Sequence, residues 1–175
     1  MRCFQQLCLI MFLILAGCTA GPLGNPPQQE KPVPVVINNS ANVTQTFEIW
    51  VVEGELNNNE VKIIKKNGKN DSASPGGGLT IYRLDGGYGY VTSIEVPSNR
   101  SRLHDQFMLA PNNENESIIE NSTIGSTVMV VHSENGRVVS LVAAKCSEQS
   151  LVGLKVTSHP ATRGLVSASY RCPGN

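Results

Sequence analysis

Between Val33 and Cys172 the chain consists of short runs in which apolar and polar residues alternate, each cut off by Gly, Pro or Asn. Strand side chains point to opposite faces in turn, so this period places one apolar edge of each run against a core. Phe47, Ile49 and Val51 alternate with Glu48 and Trp50, and Tyr90, Thr92, Ile94 and Val96 share a face before Pro97. Val61–Lys65, Leu79–Leu84, Gln106–Ala110, Leu151–Thr157 and Leu165–Cys172 are further runs of this kind. Thr127–Ser133 and Arg137–Lys145 flank Glu134-Asn135-Gly136, and Asn-Gly supplies the two positive-φ residues of a type I′ turn, so a tight hairpin is expected there. About nine short strands at this spacing predict an all-β fold, an antiparallel β-sandwich of immunoglobulin-like or other Greek-key type. With 16 Gly, 10 Pro and no long amphipathic run, a helical bundle is excluded. Only Asn115–Glu120 suits a helical turn, and the polar stretch Arg100–Ser122 reads as one long loop.

The N-terminus has a different character. Met1-Arg2 carries a positive charge, Leu7–Ala16 is apolar, and small residues precede Cys18, which is the pattern of an export signal. The apolar segment is short for a helix crossing a ~30 Å hydrocarbon core. Beyond it, Gly21, Pro22, Gly24, Pro26, Pro27 and Pro32 occur among polar residues, a composition that cannot fill a core. The organisation expected is a signal peptide over 1–17, a flexible tether over 18–32 and the β-sandwich domain over 33–175.

Leu15-Ala16-Gly17-Cys18 resembles a prokaryotic lipobox. The resemblance implies that the Cys18 thiol is alkylated by a diacylglyceryl-type lipid and that Cys18 then becomes the first residue. Two acyl chains would hold the protein stably, at about 0.8 kcal/mol per buried methylene. The implied location is the extracytoplasmic face of a cell membrane, or a virion envelope.

The remaining cysteines can then be sorted. Cys3 and Cys8 lie in the signal, which leaves Cys146 and Cys172 of the 5 cysteines. An even remainder in an exported protein reads as a disulfide. Cys146 shares a face with Val142 and Ala144, and Cys172 with Val166, Ala168 and Tyr170, so both sulfurs should point inward. Two buried free thiols, or half of a metal site, are the alternatives.

Asn38, Asn42, Asn70, Asn99, Asn115 and Asn121 each begin an Asn-x-Ser/Thr triplet, and all fall in expected turns or loops, as glycan acceptors must. An Asn- and Ser-rich composition also generates such triplets without function. The opening run Val35–Val52 and the closing runs Leu151–Lys155 and Val166–Cys172 resemble small lipobox proteins of halophilic archaea or their viruses. Those proteins are usually strongly acidic, whereas this chain has a net charge of +0, and the resemblance carries no catalytic residue with it.

Chemistry-bearing patterns are sparse. His104, His132 and His159 stand singly, without the spacing of a zinc or copper site, so no metal or cofactor is expected. No Gly-x-Ser-x-Gly elbow occurs, and His104 and Asp105 would point to opposite faces of a strand. His132 shares a face with Val128 and Val130 and reads as a core or rim histidine. Gly76–Gly78 and Gly86–Gly89 precede no helix and read as turns, not phosphate loops. Trp50 and the tyrosines Tyr82, Tyr88 and Tyr90 could form a binding surface, but Trp50 reads rather as core. The neutral charge balance gives no footprint for nucleic acid. The expectation is a membrane-anchored, non-enzymatic surface lipoprotein, an interaction or envelope module with a protein or glycan partner. A purely structural envelope component and an exported hydrolase are the alternatives.

Overall fold

The computed structural model describes residues 31–160 and 163–174; the expected signal peptide, Cys18 and nearly all of the expected tether lie outside the described residues. The described chain is all-β, in three sheets whose strands are numbered here in chain order. The first sheet runs β12 (Val166–Arg171), β11 (Gly153–Ser158), β1 (Val33–Asn39), β8 (Asn113–Ile119). The second runs β5 (Gly78–Arg83), β10 (Arg137–Lys145), β9 (Thr127–Glu134), β2 (Gln45–Val52), β7 (Ser101–Leu109). The third, and smallest, runs β4 (Asn70–Ala73), β3 (Val61–Lys65), β6 (Val91–Glu95). Every strand pairing is antiparallel except that of β1 with β11, which is parallel.

This arrangement is consistent with the expected sandwich and adds a layer to it. Val33, Val35 and Ile37 of β1 meet Phe47, Ile49 and Val51 of β2 in a core between the first two sheets. A second core lies on the other side of the five-stranded sheet, where Met129, Val131, Leu141 and Ala143 meet Val61, Ile63 and Val91 of the small sheet. The strands β9 and β10 are therefore buried on both faces. Their unbroken apolar runs, Val128–Val131 and Leu141–Ala144, are what double-sided burial requires. Trp50 points away from Phe47 and Ile49, as its alternation requires, and packs half-buried against the second core; its Nε1 donates to Glu48 Oε2 at 3.0 Å.

The hairpin between β9 and β10 forms as expected, with Asn135 at φ 50 and Gly136 at φ 71. The polar stretch Arg100–Ser122 differs from expectation: it is mostly β7 and β8, joined at Ala110–Asn112, and the helical turn placed over Asn115–Glu120 is instead strand and its end. Ladder partners explain this. β8 pairs along the whole of β1, from Val33↔Ile119 to Asn39↔Asn113, and only Ser117 and Ile119 need turn inward. An edge strand can carry polar residues on its open face.

Asn39 fixes one end of the body. Its side chain is fully buried, donates from Nδ2 to the carbonyls of Val43 and Leu109 at 2.8 Å each, and accepts at Oδ1 from Ala41 N and Ser158 Oγ at 3.0 and 3.1 Å. One side chain thus holds the β1–β2 turn, β7 and β11 together.

The pairing registers also define two ends. Val33, Val52, Thr127, Lys145, Gly153 and Arg171 lie at the end where the chain arrives from the N-terminal segment. The β1–β2 turn and the Asn135-Gly136 tip lie at the opposite end, since Thr46 pairs with Ser133.

Candidate functional site

Two tight turns build a cleft between the small sheet and that far end. After β3, Lys65–Lys69 folds back on itself. Gly68 N donates to Lys65 O at 2.9 Å, Lys65 N to Lys69 O at 3.1 Å, and Lys69 N to Asn67 Oδ1 at 3.0 Å. Gly68 has a φ of 77, the left-handed conformation that Gly adopts without a Cβ penalty. Across from it, the segment before β6 turns at Gly89 (φ 74), and Lys66 N donates to Tyr90 O at 2.9 Å, prolonging the β3–β6 ladder. Lys65, Lys66, Asn67, Tyr88, Gly89 and Tyr90 line a cleft of about 350 Å³.

Arg137, at the start of β10, ties the cleft to the hairpin. Its guanidinium donates to Gly89 O at 2.7 Å, pairs with Asp85 at 2.8 Å and lies 5.4 Å from the centre of the Tyr90 ring. The Lys66 ammonium is 5.2 Å from that same ring, and Lys65 is 5.8 Å from the ring of Tyr88 while pairing with Asp71. Cation–ring attraction of this kind contributes about 0.5–1 kcal/mol at an exposed site and restricts where the charge sits. Among the described residues Lys66 has no carboxylate within salt-bridge distance. Tyr88 is half-buried against the second core, whereas Tyr90 is 41% exposed. The arrangement offers ammonium and phenol groups on a rigid frame: it can hold an anion and hydrogen-bond hydroxyls.

Of the residues singled out from the sequence, Cys146 and Cys172 are brought together, with their sulfurs 2.00 Å apart, at the Val33 end of the body. Cys18 lies outside the described residues. The six triplets separate into two groups. Asn42, Asn99 and Asn121 are exposed outside the strands and Asn70 is exposed at the start of β4. Asn38 and Asn115 lie half-buried within β1 and β8; for these two and for Asn70 the strands correct the expected placement in turns or loops. Asn38 Nδ2 also donates to Glu114 Oε2 at 3.4 Å across that pair of strands.

The histidines stay apart. His159 Nε2 is 2.9 Å from Ser167 Oγ, and His104 Nδ1 is 3.3 Å from Arg102 Nη1. His132 is the core histidine its alternation implies, with Nδ1 3.0 Å from Ser140 Oγ and Nε2 buried without a protein partner. Burial lowers its pKa to about 4, because the charged ring would lose its hydration. Among the described residues no three His, Cys, Asp or Glu side chains come together as a metal site would need.

The sequence marks Tyr88 and Tyr90 as candidate binding residues but does not single out Lys65, Lys66, Asn67 or Arg137. Three lysines around an Asn-Gly turn, in Lys65-Lys66-Asn67-Gly68-Lys69, were the legible sign of a basic tip. Comparison with protein-family models, curated proteins and solved structures finds no match to this chain.

Proposed function

We propose that the protein is a non-enzymatic surface lipoprotein, held by a lipid on Cys18 to the extracytoplasmic face of a cell membrane or to a virion envelope, whose body is a recognition module. The observation that carries this reading is the position of the Lys66–Tyr90 cleft. It lies beside Arg137 and the Asn135-Gly136 tip, at the end of the body away from Val33. A body tethered through the segment before Val33 presents that end outward, towards a glycan or protein partner. The Pro- and Gly-rich composition of 18–32, read from the sequence as a tether, would supply the reach.

Fractionation tests the reading. The protein should remain with membranes through an alkaline carbonate wash, and Cys18→Ser should release it. Capture from neutral-detergent extracts should then retain a discrete surface component that survives moderate salt. Release of both forms alike contradicts the anchoring, and capture of nothing points to a purely structural envelope component.

A further inference from the structure

We infer that the cleft lined by Lys65, Lys66, Asn67, Tyr88, Gly89 and Tyr90 binds an acidic sugar residue, with a carboxylate or sulfate seated on the Lys66 ammonium. This inference rests on the body being a surface recognition module and names its ligand. Charge distribution is the first argument. The chain as a whole is neutral, yet Lys65, Lys66 and Arg137 gather around the cleft. Against these three cations the carboxylates engaged there are those of Asp71, paired with Lys65, and Asp85, paired with Arg137, which leaves Lys66. The site therefore holds an excess of positive charge that folding leaves unneutralised. A protein with no overall electrostatic reason to attract anions has one here.

Preorganisation is the second argument. A surface lysine ordinarily sweeps through many rotamers, and ordering one on binding costs entropy. Lys66 is already drawn to the Tyr90 ring, and its backbone is fixed to Tyr90 by the 2.9 Å hydrogen bond. Arg137 braces the other strand segment through Gly89 O and Asp85. The ammonium is thus positioned before a ligand arrives.

Size and lining decide the class. A volume of about 350 Å³ is at the small end of ligand sites and suits one sugar ring or two. Its six lining residues are also far fewer than the roughly 20–30 per side that a stable protein interface covers. Phenol hydroxyls and the Asn67 amide can bond sugar hydroxyls, and an acid on the ring distinguishes it from neutral sugars. The outward position of the cleft turns it from the lipid surface to which Cys18 would attach. A larger depression, about 540 Å³ between Asn59 and Asn99, lacks these features: Glu60 is engaged by Arg100, and Lys62 by Glu95.

Surface plasmon resonance on the full-length protein in neutral detergent tests the inference, with a hyaluronan tetrasaccharide as the acidic probe and maltotetraose as the neutral one. The acidic probe should bind at least ten-fold more tightly. Lys66→Gln should weaken it at least five-fold, 0.5 M NaCl should weaken it comparably, and Lys155→Gln on the far sheet should change nothing. Circular dichroism establishes that each variant is folded. Equal binding of the two sugars, binding of neither, or binding indifferent to Lys66→Gln overturns the inference. Lys66-dependent binding of phosphatidylglycerol vesicles without the tetrasaccharide overturns it in favour of a lipid surface. None of these outcomes alters whether Cys18→Ser leaves the membrane, so the two readings fail separately.

Discussion

The imidazole of His132 lies flat against the ring of Phe47, with centroids 4.9 Å apart and the planes 12° from parallel. These residues face each other across β9 and β2 and close the polar end of the first core. Stacking and burial suit a neutral ring, and the unpartnered Nε2 gives a proton nowhere favourable to go.

Stability should therefore fall with acid. The folded pKa of about 4 lies below the ordinary 6.5, so between these values the unfolded chain takes up a proton that the folded chain refuses. The contribution is fully present above pH 6.5, declines as pH falls, and is gone below about 4, a loss on the order of 3 kcal/mol. Urea unfolding at pH 7, 6, 5 and 4.5 measures the slope, and His132→Leu should flatten it. An unchanged slope would place the acid sensitivity elsewhere.

Removing the covalent clamp should be costly. Cys146 and Cys172 are 26 positions apart, and freeing a loop of that size in the unfolded chain corresponds to about 3.5 kcal/mol. Cys146→Ala/Cys172→Ala should lower the urea midpoint accordingly while preserving the far-ultraviolet circular dichroism. Because the clamp lies at the Val33 end, away from the cleft, binding there should be unaffected.

Asn39→Ala should destabilise by about 3 kcal/mol or more, since it leaves Ser158 Oγ and the carbonyls of Val43 and Leu109 without their buried partner. Hydrogen exchange should locate the loosening at the β1–β2 turn. Asn38→Ala, one residue away and half-buried, should cost less than 1 kcal/mol by comparison.

Gly164→Ala is expected to cost about 2 kcal/mol or more. Its φ is 68, and an added Cβ would stand 2.6 Å from Val139 O, a carbonyl already accepting from Leu84 N. Thermal unfolding measures the loss; Gly136→Ala, where nothing lies within 4 Å, should show only the conformational part.

What could be read from the sequence followed burial. Phe47, Ile49 and Val51 announced their strand because one face is wholly buried, and Asn135-Gly136 announced its hairpin because that turn needs positive φ. The small third sheet was only partly legible, because in β4 Ala73 alone is buried and in β6 Val91 alone. β8 was hidden for the same reason: its pairing is made by backbone groups, which sequence periodicity does not record. The cleft depended on tertiary structure, since Arg137 meets Gly89 from 48 positions away. Its cations looked like ordinary surface charge until the fold set them beside Tyr88 and Tyr90.

Anchoring underlies the functional reading, and intact-mass spectrometry of the protein extracted from membranes measures it directly. The expected mass begins at Cys18, exceeds that of the bare chain by a diacylglyceryl-type lipid, and lacks the two protons of the Cys146–Cys172 bond. A chain that begins at Met1, or at any residue after Cys18, with no lipid attached would contradict it.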